Sequence, residues 1–276
     1  MKNCKAIPKA KKELKTLIVY PNLALMLVPS LAIALFTKIF KKEGYIVNLF
    51  DTTHYISEEN SSPQNRVKFL QARKFSDEDD LGIRIKTDLL GDFKRKVTEY
   101  RPDFIIFSVV EDAFRQALKM IESIQDLKIP HLVGGVFPTA APERCMEYSS
   151  INMIGIGEGE KTIVNVAEAV RLGKSLKNIP NTWFRERNTI YKAPRDTLVN
   201  INDFRADFSL FDEKRFYRPM GGHIFKTIPV ETYRGCPYRC TYCNSPMQVA
   251  LAKKSKQGKF LRRTNIHEIR DRLKDL

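Results

Sequence analysis

Cysteine is scarce in this 276-residue chain, with five in all, an odd number. That excludes a scaffold built on disulfides. Three of the five fall within eight residues, which points to local chemistry in a reducing, cytoplasmic compartment. There is no Walker A sequence, and no G-x-G-x-x-G follows the first apolar run. A P-loop and a standard nicotinamide fingerprint are therefore unsupported. Histidine is rare, at four residues. His131, His223 and His267 have no partner at a metal-ligand spacing. His54, after Asp51-Thr52-Thr53, reads as a surface or capping residue. No Ser-His-Asp or Cys-His pairing can be drawn from chain order. Internal repeats and low-complexity blocks are missing too. Negative charge is in the minority, with 47 Lys+Arg against 32 Asp+Glu and a net charge of +15. This suits phosphate-bearing partners but names none. The hydrophobic fraction of 43% excludes a wholly disordered chain, and the length allows one or two domains with a large core.

One uncharged run runs from Thr16 to Thr37, behind six lysines in residues 1–16. It has the length of a membrane helix. Pro21-Asn22 and Pro29-Ser30 break it, however. The better reading is a buried strand Thr16–Tyr20, a loop, and a helix that starts near Pro29, so no membrane association is expected.

Four further apolar runs follow, over Tyr45–Phe50, Asp103–Val110, His131–Val133 and Asn152–Ile156. Helical patterns separate them, the clearest over Glu111–Leu127, where Phe114, Ala117, Leu118, Ile121 and Ile124 share one face. Two more helices are expected over Pro29–Glu43 and Lys161–Leu172, with Gly44 and Gly173 after them as C-terminal stops. Near-continuous apolar strands alternating with helices predict an α/β fold, a doubly wound parallel sheet covered on both faces. Residues 56–80 are polar and acidic and read as an insertion loop. Trp183–Tyr191 reads as a small hairpin. The stretch from Lys192 to His223 is irregular and rich in aromatics, a linker packed on the first domain. A strand over Lys226–Tyr233 and a helix near Asn265–Leu276 are expected after it. The domains implied are a basic tail over 1–14, an α/β domain over 15–180, a linker with hairpin over 181–225, and a second domain that opens at 226.

Ligands of parallel α/β sheets bind at the carboxyl ends of the strands. Three such ends carry suitable residues here: Ser108-Val109-Val110, Gly134-Gly135, and Gly155-Ile156-Gly157-Glu158-Gly159-Glu160. Glycine lets backbone approach a ligand closely. Each of these, taken singly, also reads as an ordinary strand-to-helix turn.

The strongest signal is Arg234-Gly235-Cys236-Pro237-Tyr238-Arg239-Cys240-Thr241-Tyr242-Cys243. Cys236, Cys240 and Cys243 can converge when a loop folds around one centre, and thiolates suit iron–sulfur clusters and zinc. A structural zinc site needs four closed ligands, and no fourth is evident. Cys4 and Cys145 sit in stretches that belong elsewhere. Three cysteines on a cluster would leave one iron open to a substrate or cofactor. The first gap does not match ferredoxin spacing.

C-x₃-C-x-aromatic-C after a strand resembles the signature of the radical S-adenosylmethionine (SAM) superfamily. The preceding domain resembles the cobalamin-binding domain of the B12-dependent class of that superfamily. Ser108-Val109-Val110 is similar to its Ser-x-Leu element, with Val in place of Leu. Gly134-Gly135 with Pro138-Thr139 resembles its second element, and Gly157-Glu158-Gly159-Glu160 a run before its linker. Ile179-Pro180-Asn181 and Asp203–Phe211 fall where that class has its inter-domain segment. The resemblance covers roughly residues 15–276. The Asp-x-His-x-x-Gly of histidine-on cobalamin domains is missing, since Pro21-Asn22-Leu23-Ala24-Leu25-Met26 stands there. This argues against a histidine ligand to cobalt.

The resemblance implies a Rossmann-like sheet followed by the first βα unit of a TIM-like barrel. It implies a [4Fe–4S] cluster on Cys236, Cys240 and Cys243, SAM on the open iron, and Tyr242 near the SAM adenine. Cobalamin would lie near Ser108, Gly134, Gly135, Gly157 and Glu158. The implied reaction is reductive cleavage of SAM to a 5′-deoxyadenosyl radical for C–H functionalisation, with methyl transfer as one outcome. The substrate would be a small molecule or natural product, and the electron would come from a reductant such as ferredoxin or flavodoxin. Two rivals stay open: a radical SAM protein whose α/β domain is a scaffold without cobalamin, and a non-enzymatic metal-thiolate module. Fifty residues follow Lys226, while a full barrel takes about 200 or more. The expectation is a truncated chain or one piece of a split enzyme, inactive by itself. From Leu251 there are nine Lys/Arg against three Asp/Glu. This reads as a packed or solvated barrel exterior, with nucleic-acid binding the weaker reading.

Overall fold

Alternation within the apolar runs decides the layering of the molecule. In a strand, successive side chains point to opposite faces. Leu17, Val19, Ile105 and Phe107 enter one buried cluster, and Ile18, Phe104 and Ile106 enter another. A computed structural model of the chain describes residues 13–23, 28–56, 81–220 and 223–275. Nearly all of the basic tail, Cys4, and the insertion beyond Ile56 lie outside the described residues.

The first strands and helices are β1 (Lys15–Tyr20), α1 (Leu31–Lys42), β2 (Ile46–Asp51), α2 (Leu89–Tyr100), β3 (Phe104–Ser108) and α3 (Phe114–Ser123). There follow β4 (His131–Gly134), the short α4 (Val136–Ala140) and α5 (Pro142–Met146), β5 (Met153–Gly155), α6 (Glu160–Arg171), β6 (Thr182–Glu186) and β7 (Thr189–Lys192). One seven-stranded sheet runs in the order β2-β1-β3-β4-β5-β6-β7. Strands β1 to β5 are parallel, and β6 and β7 are antiparallel. The hairpin grouped with the linker on sequence grounds thus adds two strands to this sheet.

The chain leaves β1 toward β2 and leaves β3 toward β4, in opposite directions. Right-handed crossovers then require helices on both faces. Phe114, Ala117, Phe93 and Val97 of α3 and α2 pack on one face. Ile33, Phe40, Ile163 and Val166 of α1 and α6 pack on the other. The direction changes between β1 and β3, and the crevice above their carboxyl ends is where ligands of such sheets bind. The helix expected over Glu111–Leu127 is broken into a 3₁₀ turn, α3 and a second 3₁₀ turn. Gly44 and Gly173 follow α1 and α6 closely, as their positions implied.

The linker returns over the α1 face, where Phe204, Phe208, Phe211 and Phe216 join the core. Arg215 is fully buried and donates to Asp51 at 2.9 Å, which fixes the linker to the end of β2. A small hairpin of β8 (Tyr217–Met220) and β9 (His223–Lys226) comes next. The strand expected over Lys226–Tyr233 does not form as such. Residues 227–232 are irregular, and only β10 (Tyr233–Arg234) pairs, antiparallel with β11 (Arg262–Arg263). Pro229 lacks a ladder donor, which disfavours a continuous strand there. Helices α7 (Ser245–Lys254) and α8 (Ile266–Lys274) complete the described chain. Among the described residues no helix is long and apolar enough to cross a membrane.

Candidate functional site

A cavity of about 340 Å³ lies over the carboxyl ends of the parallel strands, between the sheet and the segment around β10, α7 and β11. Five residues singled out in the sequence line it together: Ser108, Gly134, Gly135, Gly157 and Glu158. They converge because each stands at or just beyond the end of β3, β4 or β5. The rest of the wall is mainly apolar, including Leu35, Phe36 and Phe260. An apolar cleft with a few polar groups is the usual form of a cofactor site.

The glycines here have unequal roles. Gly135 has φ +113°, and a Cβ on it would stand 2.5 Å from the Val109 carbonyl oxygen. Backbone packs on backbone there, so nothing flexible can give way. Gly135→Ala is expected to lower folding stability by about 3 kcal/mol, read from urea unfolding monitored by circular dichroism. Gly134 differs, because a Cβ there meets nothing nearer than the Phe107 carbonyl oxygen at 4.0 Å. Thr139 joins two of the turns. Its hydroxyl donates to the Gly135 carbonyl at 2.7 Å and accepts from the Gly157 N–H at 2.9 Å.

Glu158 lines the cavity, yet its carboxylate is committed elsewhere. It accepts from Arg262 at 2.9 Å, from Arg234 at 3.1 Å, and from the Val199 N–H at 2.9 Å. Burial opposes its ionisation, but the hydrogen bonds from Arg262 and Val199 and the fields of Arg234 and Arg262 outweigh burial. The carboxyl therefore titrates below its ordinary range. Arg234 also donates to Glu160 at 2.6 Å and grips Glu231 with two bonds, at 2.8 and 3.0 Å. Burial works against the Arg234 charge, and its three carboxylate partners more than restore it. Arg234 and Arg262 are direct partners in the β10–β11 pair, so two strand residues hold one glutamate of the α/β domain. Neither arginine had a role assignable from sequence. The one signal was that Arg234 stands two residues before Cys236.

The cysteine loop follows directly. Gly235 has φ +98°, and a Cβ on it would lie 2.6 Å from the Phe260 carbonyl oxygen, so this position accepts only glycine without a shift of the Phe260-Leu261 backbone just before β11. Cys236 is half-buried, and Cys240 and Cys243 are exposed, all as free thiols. The Cys243 N–H donates to the Cys240 carbonyl at 3.2 Å, and the Ser245 N–H points to the Cys243 sulfur at 3.4 Å. Among the described residues no three His, Cys, Asp or Glu side chains stand near enough to share a metal ion. The loop thus presents three thiols without gathering them, and metal binding itself supplies the energy that draws ligands together. Tyr242 is 91% exposed. Cys145 differs from the loop thiols. Burial pushes its thiol up to about 12. Maleimide labelling read by peptide mass mapping is expected to modify Cys236, Cys240 and Cys243 in the native protein, and Cys145 only in denaturant.

His54 is not the surface residue expected from sequence. It is half-buried, its Nε2 has no partner among the described residues, and burial holds its pKa below the usual value.

The fold and the site define an α/β domain with a crevice over its parallel strand ends, joined to a cysteine-bearing segment. Comparison with known proteins agrees. Residues 67–167 match the model of the B12 binding domain family. Among curated proteins the chain is similar to the uncharacterized methyltransferase PH0819 of Pyrococcus horikoshii, at 25% identity over 166 residues, covering 57% of this chain and 35% of that protein. It is also similar to the anaerobic magnesium-protoporphyrin IX monomethyl ester cyclase of Synechocystis, at 29% over 121 residues, covering 42% of this chain and 24% of that one. The chain matches about a third or less of each relative's length. Among solved structures it shares its fold with the radical SAM methyltransferase TsrM of Kitasatospora setae, solved with cobalamin and a [4Fe–4S] cluster bound. The TM-score is 0.61 at 18% identity, covering 96% of this chain and 46% of that one. The cobalamin-dependent SAM radical enzyme OxsB, solved with aqua-cobalamin and SAM, gives a TM-score of 0.62 at 17% identity, covering 96% and 31%.

Proposed function

We propose that this chain provides the cobalamin crevice and the cluster loop of a cobalamin-dependent radical SAM enzyme of the methyltransferase type. The observation that carries the reading is the position of one cavity. It is bounded by the strand ends of a B12-binding domain on one side and by the segment that bears Cys236, Cys240 and Cys243 on the other. Three free thiols with no disulfide among them are a suitable donor set for an iron–sulfur cluster with one open iron. A Cβ at Gly134 would make only an ordinary contact, 4.0 Å from the Phe107 carbonyl oxygen, so glycine keeps this wall of the crevice free of a side chain, while Gly135 lets the turn pack on Val109. When bound, the cluster with SAM supplies a 5′-deoxyadenosyl radical, and cobalamin supplies a transferable methyl group. The protein's own contribution is to hold and orient. Ser108 and the glycine turns line the crevice, Glu158 braces the cysteine segment against it, and Phe36 and Phe260 exclude water. A low-potential reductant such as ferredoxin or flavodoxin would supply the electron, and the substrate would be a small molecule.

The test is anaerobic reconstitution with iron, sulfide and hydroxocobalamin, followed by desalting and analysis of all three. The expected result is about four iron and four sulfide per chain with about one corrinoid. Iron and sulfide without corrinoid would favour the scaffold reading. Zinc without sulfide would overturn the assignment.

A further inference from the structure

Arg195 is the one cavity-lining arginine that the ion network leaves out. Arg234 and Arg262 share Glu158, Glu160 and Glu231. Arg195 lines the same cavity, and its Nη2 lies 3.4 Å from where a Cβ on Gly157 would stand. Its Nε is buried and has no hydrogen-bond partner among the described residues. Among the described residues it forms no ion pair, although its neighbour Asp196 faces Lys161 at 3.7 Å. A guanidinium carries five donors in a rigid fork suited to phosphate oxygens. Leaving such a charge half-buried and uncompensated is costly unless a ligand completes it. Burial is also the sole influence on its pKa, which it lowers, as expected where no carboxylate answers the charge.

Two neighbouring polar groups of the cavity wall are engaged. The Gly157 N–H is held by Thr139, and Glu158 is held by its two arginines. Arg195 is thus a cavity-lining cation without a carboxylate partner among the described residues, placed to meet an incoming anion beside the Gly157 turn. We infer that Arg195 binds the phosphodiester of the cobalamin nucleotide arm and so selects a complete cobalamin over a corrinoid that lacks that arm. This rests on the cobalamin reading above and adds the residue that recognises the anionic part of the ligand.

The probes are hydroxocobalamin and cobinamide, which keeps the corrin ring but lacks the phosphodiester and its base. Affinities are measured by equilibrium titration of the visible spectrum, for the wild type, Arg195→Met and Arg195→Lys. The expected wild-type preference for cobalamin is about 10- to 100-fold, the range of one charge-assisted hydrogen-bonded contact. Arg195→Met should lose most of that preference while its affinity for cobinamide stays unchanged, which also shows that the variant is folded. Arg195→Lys should keep part of the preference. An equal preference in the wild type and Arg195→Met would overturn the inference and leave the cobalamin reading intact. Equal binding of both corrinoids by the wild type would do the same. Binding of neither would overturn both.

Discussion

Alanine at any one of Cys236, Cys240 and Cys243 is expected to cut the iron and sulfide retained after anaerobic reconstitution from about four each per chain to below about one. The effect should be nearly complete because the loop offers three thiols and no reserve. Among the described residues no group of three or more His, Cys, Asp or Glu side chains offers an alternative metal site. The other described cysteine, Cys145, stands on the buried face of α5, with its thiol held in the protonated form. Cys145→Ala is therefore the control and should retain full iron and sulfide. Iron and sulfide assay with the absorbance near 400 nm, a region where such clusters absorb, reads the outcome. Full cluster content in any one of the three loop variants would remove that residue from the ligand set.

Arg234→Met is expected to destabilise the junction by about 3 kcal/mol, the scale for removing one partner of a largely buried ion network. Its side chain is largely shielded from solvent, and Glu160 beneath it is 4% exposed. Without Arg234, the carboxylates of Glu158, Glu160 and Glu231 keep only Arg262 among the cations of this network. The damage should be local. Hydrogen exchange is expected to rise across residues 231–264 and to stay low in β1, β3 and β4, whose core does not involve Arg234. Uniform acceleration across the sheet would contradict this assignment and make the network part of the global core.

Most of the framework was legible because it rests on local pattern. The runs at Thr16–Tyr20 and Asp103–Val110 are apolar on both faces, as buried parallel strands are. Once such strands are parallel, their carboxyl ends must lie along one edge. Ser108, Gly134, Gly135, Gly157 and Glu158 could thus be grouped without any knowledge of distance. The role of Glu158 was not legible, because it depends on Arg234 and Arg262, which lie 76 and 104 residues away. Long-range ion pairs leave no periodicity in a sequence. Arg195 was hidden for a related reason. Its importance lies in a missing counter-charge, which becomes visible when its neighbours are known. The stretch after Lys226 misled in the opposite sense: its composition suits a strand, but residues 227–232 make isolated hydrogen bonds, such as Thr227 N–H to the Phe216 carbonyl, and no continuous ladder among the described residues.

The central claim is that the crevice over the strand ends holds cobalamin, and filling that crevice tests it most directly. Gly134 has no left-handed φ, a Cβ there would make only an ordinary contact with the Phe107 carbonyl oxygen at 4.0 Å, and the residue lines the cavity, so Gly134→Leu should fold and occupy cavity volume. Hydroxocobalamin is titrated into the wild type and into this variant, followed by the visible spectrum, with circular dichroism as the check on folding. The account predicts about one site in the wild type and an affinity lower by at least about 100-fold in folded Gly134→Leu, because the occupied volume excludes the ligand. Equal affinity in both, or no binding by the wild type, would contradict it.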